Sequence, residues 1–180
     1  SELMLRLLSK ELSDKELNSN NFFNSLNYLM NTIVGAYSVV GLTKNGDIFG
    51  FRDPNGIRPL VFGKRIDQDG KPNFALASES VALRFLGFDN LEEVQAGEAI
   101  FISSDGIVER KIIHQDSISP CMFEWVYFAR VESEFDNTSV YKSRFRLGLL
   151  LARQLKAKKI EADIVVPVPE TSRATAIALS

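Results

Sequence analysis

"FRDPNGIRPLVFG", residues Phe51–Gly63, sets two apolar runs on either side of a turn-forming group, Asp53-Pro54-Asn55-Gly56. Runs of this kind joined by a polar turn read as β-strands. The pattern repeats outward: "AYSVVGL", "DIFGF", "PLVFG", "NFALAS", "EAIFIS" and "GIVERKII" occupy residues 36 to 113. The expectation is a β-meander, with Asn45-Gly46 and Asp105-Gly106 as hairpin turns. One short helix, "ESVALRFLGF", interrupts it, and "ASES" (Ala77 to Ser80) reads as its capping sequence. Arg58 lies in an otherwise apolar surround, so it contacts a substrate or pairs with a carboxylate such as Asp53 or Glu79.

Ahead of the strands, Leu3, Leu5, Leu7, Leu8 and Leu12 mark one amphipathic helix. Phe22, Phe23, Leu26, Leu29, Met30 and Ile33 mark a second, closed by Gly35. Helices followed by antiparallel strands predict a layered sheet with helices packed on it. Beyond the strands, "YFARVESEFDNTSVYKS" reads as an irregular crossover, and "VYKSRFRLGLLLARQLKAKKI" as a helix with Leu147, Leu150, Leu151 and Leu155 on its buried side. The last stretch, "DIVVPVPETSRATAIALS", reads as a strand through Ile164, Val165, Val166 and Val168, then a helix capped by Thr171 or Ser172. Free N–H groups at such a strand-to-helix corner suit an anion.

Composition narrows the function. The chain has 180 residues, is 45% hydrophobic and 24% charged, and can therefore bury one large core or one domain plus part of another. A formal net charge of -2 lacks the basic excess a nucleic-acid or anionic-membrane surface needs. No apolar run is long enough for a membrane span and no signal segment opens the chain, so a cytoplasmic protein is expected. Cys121 and His114 are the only residues of their kinds, which leaves no cage for a transition metal. The opening at Ser1, directly on an amphipathic helix, predicts an internal piece of a longer protein.

"GAYSVVGL", "FRDPNGIRPLVFGKR", "ASESVALRFLGF", "AGEAIFIS", "CMFEWVYFAR", "SVYKSR" and "VVPVPETSR" occur in an order and spacing that resemble the amidophosphoribosyltransferase family, across nearly all 180 residues. The resemblance implies the C-terminal part of an α+β N-terminal-nucleophile glutaminase sandwich over residues 1–125. It implies a crossover and the start of an α/β type I phosphoribosyltransferase domain over residues 126–180. The implied reaction transfers glutamine-derived ammonia to phosphoribosyl pyrophosphate, giving 5-phosphoribosylamine, glutamate and pyrophosphate in the first step of de novo purine synthesis.

By the same resemblance the nucleophilic cysteine, an arginine and the Asn-Gly oxyanion elements lie upstream of Ser1, so no catalytic residue is expected within this chain. Thr171, Ser172 and Arg173 match a segment that binds phosphoribosyl pyrophosphate, and Ser172 matches a position near Mg²⁺. The full-length family member is implied to be a homo-oligomer. Some members hold an iron–sulfur cluster, but Cys121 is expected to be a free, partly buried thiol instead. Where the family commonly has Ala-Arg-Pro-Asp-Ser, this chain has Ala129, Arg130, Val131, Glu132 and Ser133, which loosens the crossover. Two alternatives remain at this point: another N-terminal-nucleophile glutamine amidotransferase, and a non-catalytic scaffold that binds partners.

Overall fold

The computed structural model describes residues 1–180. Helices α1 (Glu2–Leu12) and α2 (Ser19–Thr32) come first. The start of α2 is set by Asn18, whose side chain accepts the Asn21 N–H at 3.0 Å. Phe22, Leu26, Leu29 and Met30 then fall on one face and are buried.

Strands β1 (Ser38–Leu42), β2 (Ile48–Arg52), β6 (Glu98–Ile102) and β7 (Val108–Ile112) form one antiparallel sheet in the order β1-β2-β6-β7. Strands β3 (Val61–Ile66), β4 (Pro72–Ala77) and β5 (Asn90–Glu93) form a second, in the order β4-β3-β5. The region is therefore not a single meander. The chain leaves the first sheet after Arg52, builds the second, and returns beside β2. Periodicity marks strands but not partners, which is why the sequence pattern conceals this crossing. The expected turn at Asn45-Gly46 is present, with Gly46 at φ +88°, a backbone that favours glycine.

Alternation along the strands fixes the layers. Phe51, Ala99 and Phe101 face α1 and α2, and the Phe22 ring lies 4.8 Å from that of Phe49. Ile100 and Ile102, one residue out of phase, face Phe62 of the second sheet and the flanking residues Leu60 and Val94. That sheet turns Val61 outward onto Leu83 and Phe88, in and just after α3 (Ser80–Phe85). The layer order is helices, sheet, sheet, helix. The outer edge of β1 has no partner strand, and Val40 and Leu42 are exposed on it.

The expected irregular crossover is ordered: a single π-helical turn (Glu124–Phe128) leads to a two-stranded ribbon of β8 (Glu134–Phe135) and β9 (Thr138–Ser139). Helix α4 (Val140–Ala157) follows, with Ser139 accepting the Lys142 N–H at its start. Its buried residues are Val140, Arg144 and Gly148; Leu147, Leu150 and Leu151 are exposed and Leu155 is half-buried, contrary to expectation. The inward choice is made by α5 (Arg173–Leu179), which lies so close that a Cβ on Gly148 would meet the Thr175 carbonyl oxygen at 2.3 Å. The expected strand at 164–168 is unpaired, with Ile164, Val166 and Val168 about three-quarters exposed. A strand is defined by its ladder, and no other strand lies beside this run.

Candidate functional site

The turn after β2 is built on Asp53, which is fully buried and accepts four backbone N–H groups, those of Tyr37, Asn55, Ile57 and Arg58. Its neighbour Arg52 is also buried and donates to three carbonyls, those of Gly56, Arg58 and Val94, at 2.6–2.9 Å. The buried guanidinium of this segment is thus that of Arg52, not of Arg58. Arg58 keeps 40% of its side-chain exposure and lies 2.5 Å from the Glu124 carboxylate, with its guanidinium over the Phe128 ring. The predicted partners Asp53 and Glu79 are occupied elsewhere, so the pairing expectation held in kind but failed in identity.

Glu124 is buried, and its Oε1 makes no hydrogen bond despite the short approach of Arg58. Burial pushes its carboxyl above the ordinary range, and Arg58 opposes this. On the far side, Arg144 of α4 closes the open end of the π-helical turn, donating to the carbonyls of Trp125 and Ala129, both at 2.8 Å. It has no carboxylate in contact; burial lowers its pKa and the charge of Glu79 partly offsets that. Arg52, Arg58 and Arg144 thereby balance Asp53, Glu79 and Glu124 at the junction of the sheets with α4. The one ion pair among them is Arg58 with Glu124; losing Arg58 would leave the buried carboxylate without its partner, while the other charges are held by backbone and hydroxyl groups. Sequence reading missed Arg52, Glu124 and Arg144. The available signal was a charged residue inside an apolar run: "FGFRDP", "MFEWVYF" and "SRFRLGLL".

Arg58 also borders a groove of about 830 Å³ between α1 and the free edge of β1, floored by Tyr37, Val39 and Phe51. The Tyr37 hydroxyl is buried there without a partner, and burial raises its pKa to about 12.

At the C-terminal corner, Thr171 and Ser172 are half-buried and Arg173 is exposed. Ser172 occupies the N-cap position of α5, but its side chain makes no capping bond; the hydroxyl donates back to the Val168 carbonyl. That bond uses the proton and leaves oxygen lone pairs free for a cation, so Ser172 fits the part of a single protein ligand to Mg²⁺. Arg173 pairs with Glu170 at 2.9 Å, both largely exposed. The corner is tied to the charged junction through Thr175, whose hydroxyl donates to the Arg144 carbonyl at 3.0 Å. Cys121 is a half-buried free thiol beside Arg52 and Glu124.

The layered sheets with their appended helices are shared with the amidotransferases. A glutamine phosphoribosylpyrophosphate amidotransferase from B. subtilis, solved with ADP and GMP, superposes with a TM-score of 0.80 at 30% identity, covering 98% of this chain and 36% of that one. The relationship is to one family in particular: the chain is related, from end to end, to the amidophosphoribosyltransferases. It is 39% identical to the Lachancea kluyveri enzyme over 186 residues, covering 98% of this chain, and 40% identical to the Escherichia coli enzyme over 178 residues, covering 96%. The chain spans 36% and 35% of the length of these two curated relatives. No family model matches it.

Proposed function

We propose that this chain is the joining third of an amidophosphoribosyltransferase, the enzyme that passes glutamine-derived ammonia to phosphoribosyl pyrophosphate and yields 5-phosphoribosylamine, glutamate and pyrophosphate. The observation that carries the reading is the end-to-end relationship, in sequence and in fold, to amidotransferases of greater length. Residues 1–125 are read as the C-terminal part of an N-terminal-nucleophile glutaminase sandwich. The sheet-on-sheet layering and the unpaired edge of β1 support this, since upstream strands would complete both the edge and the groove beside Tyr37. Residues 126–180 are read as the crossover and the opening of a type I phosphoribosyltransferase unit, whose further strands would pair the valine run and cover the α4 leucines.

In this reading the chain supplies no nucleophile, and its own residues bind and position. Thr171, Ser172 and Arg173 face phosphoribosyl pyrophosphate, and Ser172 would hold Mg²⁺, which when bound neutralises charge on the pyrophosphate. The protein acts on small molecules, with neither nucleic acid nor membrane as partner. In this reading the full-length protein is a cytoplasmic homo-oligomer; no helix of this chain is long and apolar enough to cross a membrane. Cys121 is read as a thiol rather than a cluster ligand.

Two experiments test this. The purified chain should release no glutamate from glutamine above buffer, because covalent release needs an activated nucleophile. In the full-length protein, Ser172→Ala should weaken phosphoribosyl pyrophosphate binding or ammonia-dependent synthesis by about 1–3 kcal/mol. Wild-type values for both would reduce Ser172 to a helix-start residue.

A further inference from the structure

Glu79 stands at the N-cap position of α3, yet its carboxylate makes no bond to its own helix. It accepts instead the Arg130 N–H and the Ser133 hydroxyl, both at 2.8 Å, 51 and 54 residues further along the chain. The next residue, Ser80, accepts the Glu134 N–H at 3.1 Å. Ser80 and Ser133 are both buried, so the Ser133–Glu79 and Glu134–Ser80 bonds are partly shielded from water, while the Arg130 N–H bond to Glu79 lies at the surface.

What hangs on the turn at residues 130–133 is the start of α4. The Ser133 carbonyl accepts the Val140 N–H at 3.0 Å, and the Val131 carbonyl accepts that of Tyr141 at 3.1 Å. Helix α4 in turn carries α5 through the Gly148 contact and the Thr175 bond. An unbroken series of contacts therefore runs from the second sheet, through α3 and one carboxylate, to the corner at 171–173. Residues 130–133 contain no proline, and beside one backbone bond, from the Ser133 N–H to the Arg130 carbonyl at 3.0 Å, the side-chain bonds to Glu79 hold this turn.

We propose that Glu79 is a positioning residue for the coupling of the two half-reactions: it fixes the 130–133 turn, and with it the register of α4 and α5, against the sheet layers. This rests on the functional reading above. The test uses the full-length protein with Glu79→Ala, Glu79→Gln and Ser133→Ala. In Glu79→Ala, amide exchange at Arg130 and Tyr141 should quicken about tenfold, the size set by losing one charge-assisted, part-buried bond, while amides of β6 stay as they were. The ratio of glutamine-dependent to ammonia-dependent synthesis should fall by a similar factor, and Glu79→Gln, which retains an acceptor oxygen, should restore most of it. Unchanged exchange would overturn the proposal, and so would faster exchange with a wild-type ratio. If Glu79→Ala does not fold, Ser133→Ala is judged by the same two readouts, with smaller shifts expected. A wild-type protein that made no phosphoribosylamine from either nitrogen source would defeat the functional reading instead.

Discussion

The sheet layers and the α4–α5 unit contain the same raw material, apolar residues at regular spacing, yet they use it differently. In the layers, Leu26, Leu29, Ala99 and Ile100 are completely buried, and the side chains of Asp53 and Arg52 find several backbone partners each. In the α4–α5 unit, Leu147, Leu149, Leu150 and Leu151 of α4 and Ile164, Val166 and Val168 after it are exposed, and full burial reaches only Val140, Arg144, Gly148 and Ala174. The difference teaches that an apolar stripe is an offer of contact. It becomes core only where a second surface meets it.

The sharpest way to break this comparison is one substitution in each region. Leu26→Ala should cost about 2–5 kcal/mol, the range for a leucine truncated inside a core. Leu150→Ala, half-exposed on α4, should cost under about 0.5 kcal/mol. Urea unfolding followed by circular dichroism measures both, and equal costs would mean that the two regions are packed alike.

Asp53→Ala comes next, at about 2–3 kcal/mol, because it strands several buried N–H groups at once. A loss no larger than that of a surface carboxylate would show that the turn holds without it. Gly148→Ala should cost about 1–3 kcal/mol by forcing α5 off α4. Its signature is regional: hydrogen exchange should rise along α5 and stay fixed along α2.

The smallest effect is one of pH. Glu124 is held above its ordinary pKa of 4.5 in the folded protein, chiefly by burial. The folded state therefore binds more protons than the unfolded one just above pH 4.5, and stability falls as pH rises from there through the folded pKa. Glu124→Gln should flatten that slope, with part of it persisting because Glu93 is raised in the same way. Melting scans at several pH values between 4.5 and neutrality would detect it, and parallel curves for variant and wild type would remove Glu124 from the account.

How much of this was legible in the sequence depended on whether the cause was local. The α2 face, the strand runs between residues 36 and 113 and the position of α3 follow from periodicity. Leu3 and Leu5 of α1, however, face solvent, and the "ASES" segment makes no side-chain cap, because Glu79 and Ser80 bond across to residues 130–134 instead. The pairing of β2 with β6 was not legible, because neither strand carries a mark naming its partner. The same limit misassigned the α4 leucines, since a helix's apolar face cannot tell which neighbour will arrive. At the junction, "DPNGIRPL" drew attention to Arg58 as the odd residue in its surround. It was Arg52, at the end of an ordinary-looking strand, whose guanidinium went inside. At 171–173 the residues themselves indicate only a helix start suited to an anion, and the assignment to phosphoribosyl pyrophosphate rests on resemblance, because the small side chains there have no further pattern.

The three carbonyls held by Arg52 carry a consequence for the order of folding. Those of Gly56 and Arg58 lie within six residues, but that of Val94 is 42 residues away and arrives only after the second sheet has been laid down. The β1–β2 hairpin can form early from local contacts, yet its terminal arginine stays incompletely bonded until the chain has made its excursion and come back. We expect the Val94 bond to form late, so that weakening Arg52 speeds unfolding more than it slows folding; the two arms of a denaturant chevron measure this, and equal changes in both would place the bond before the barrier.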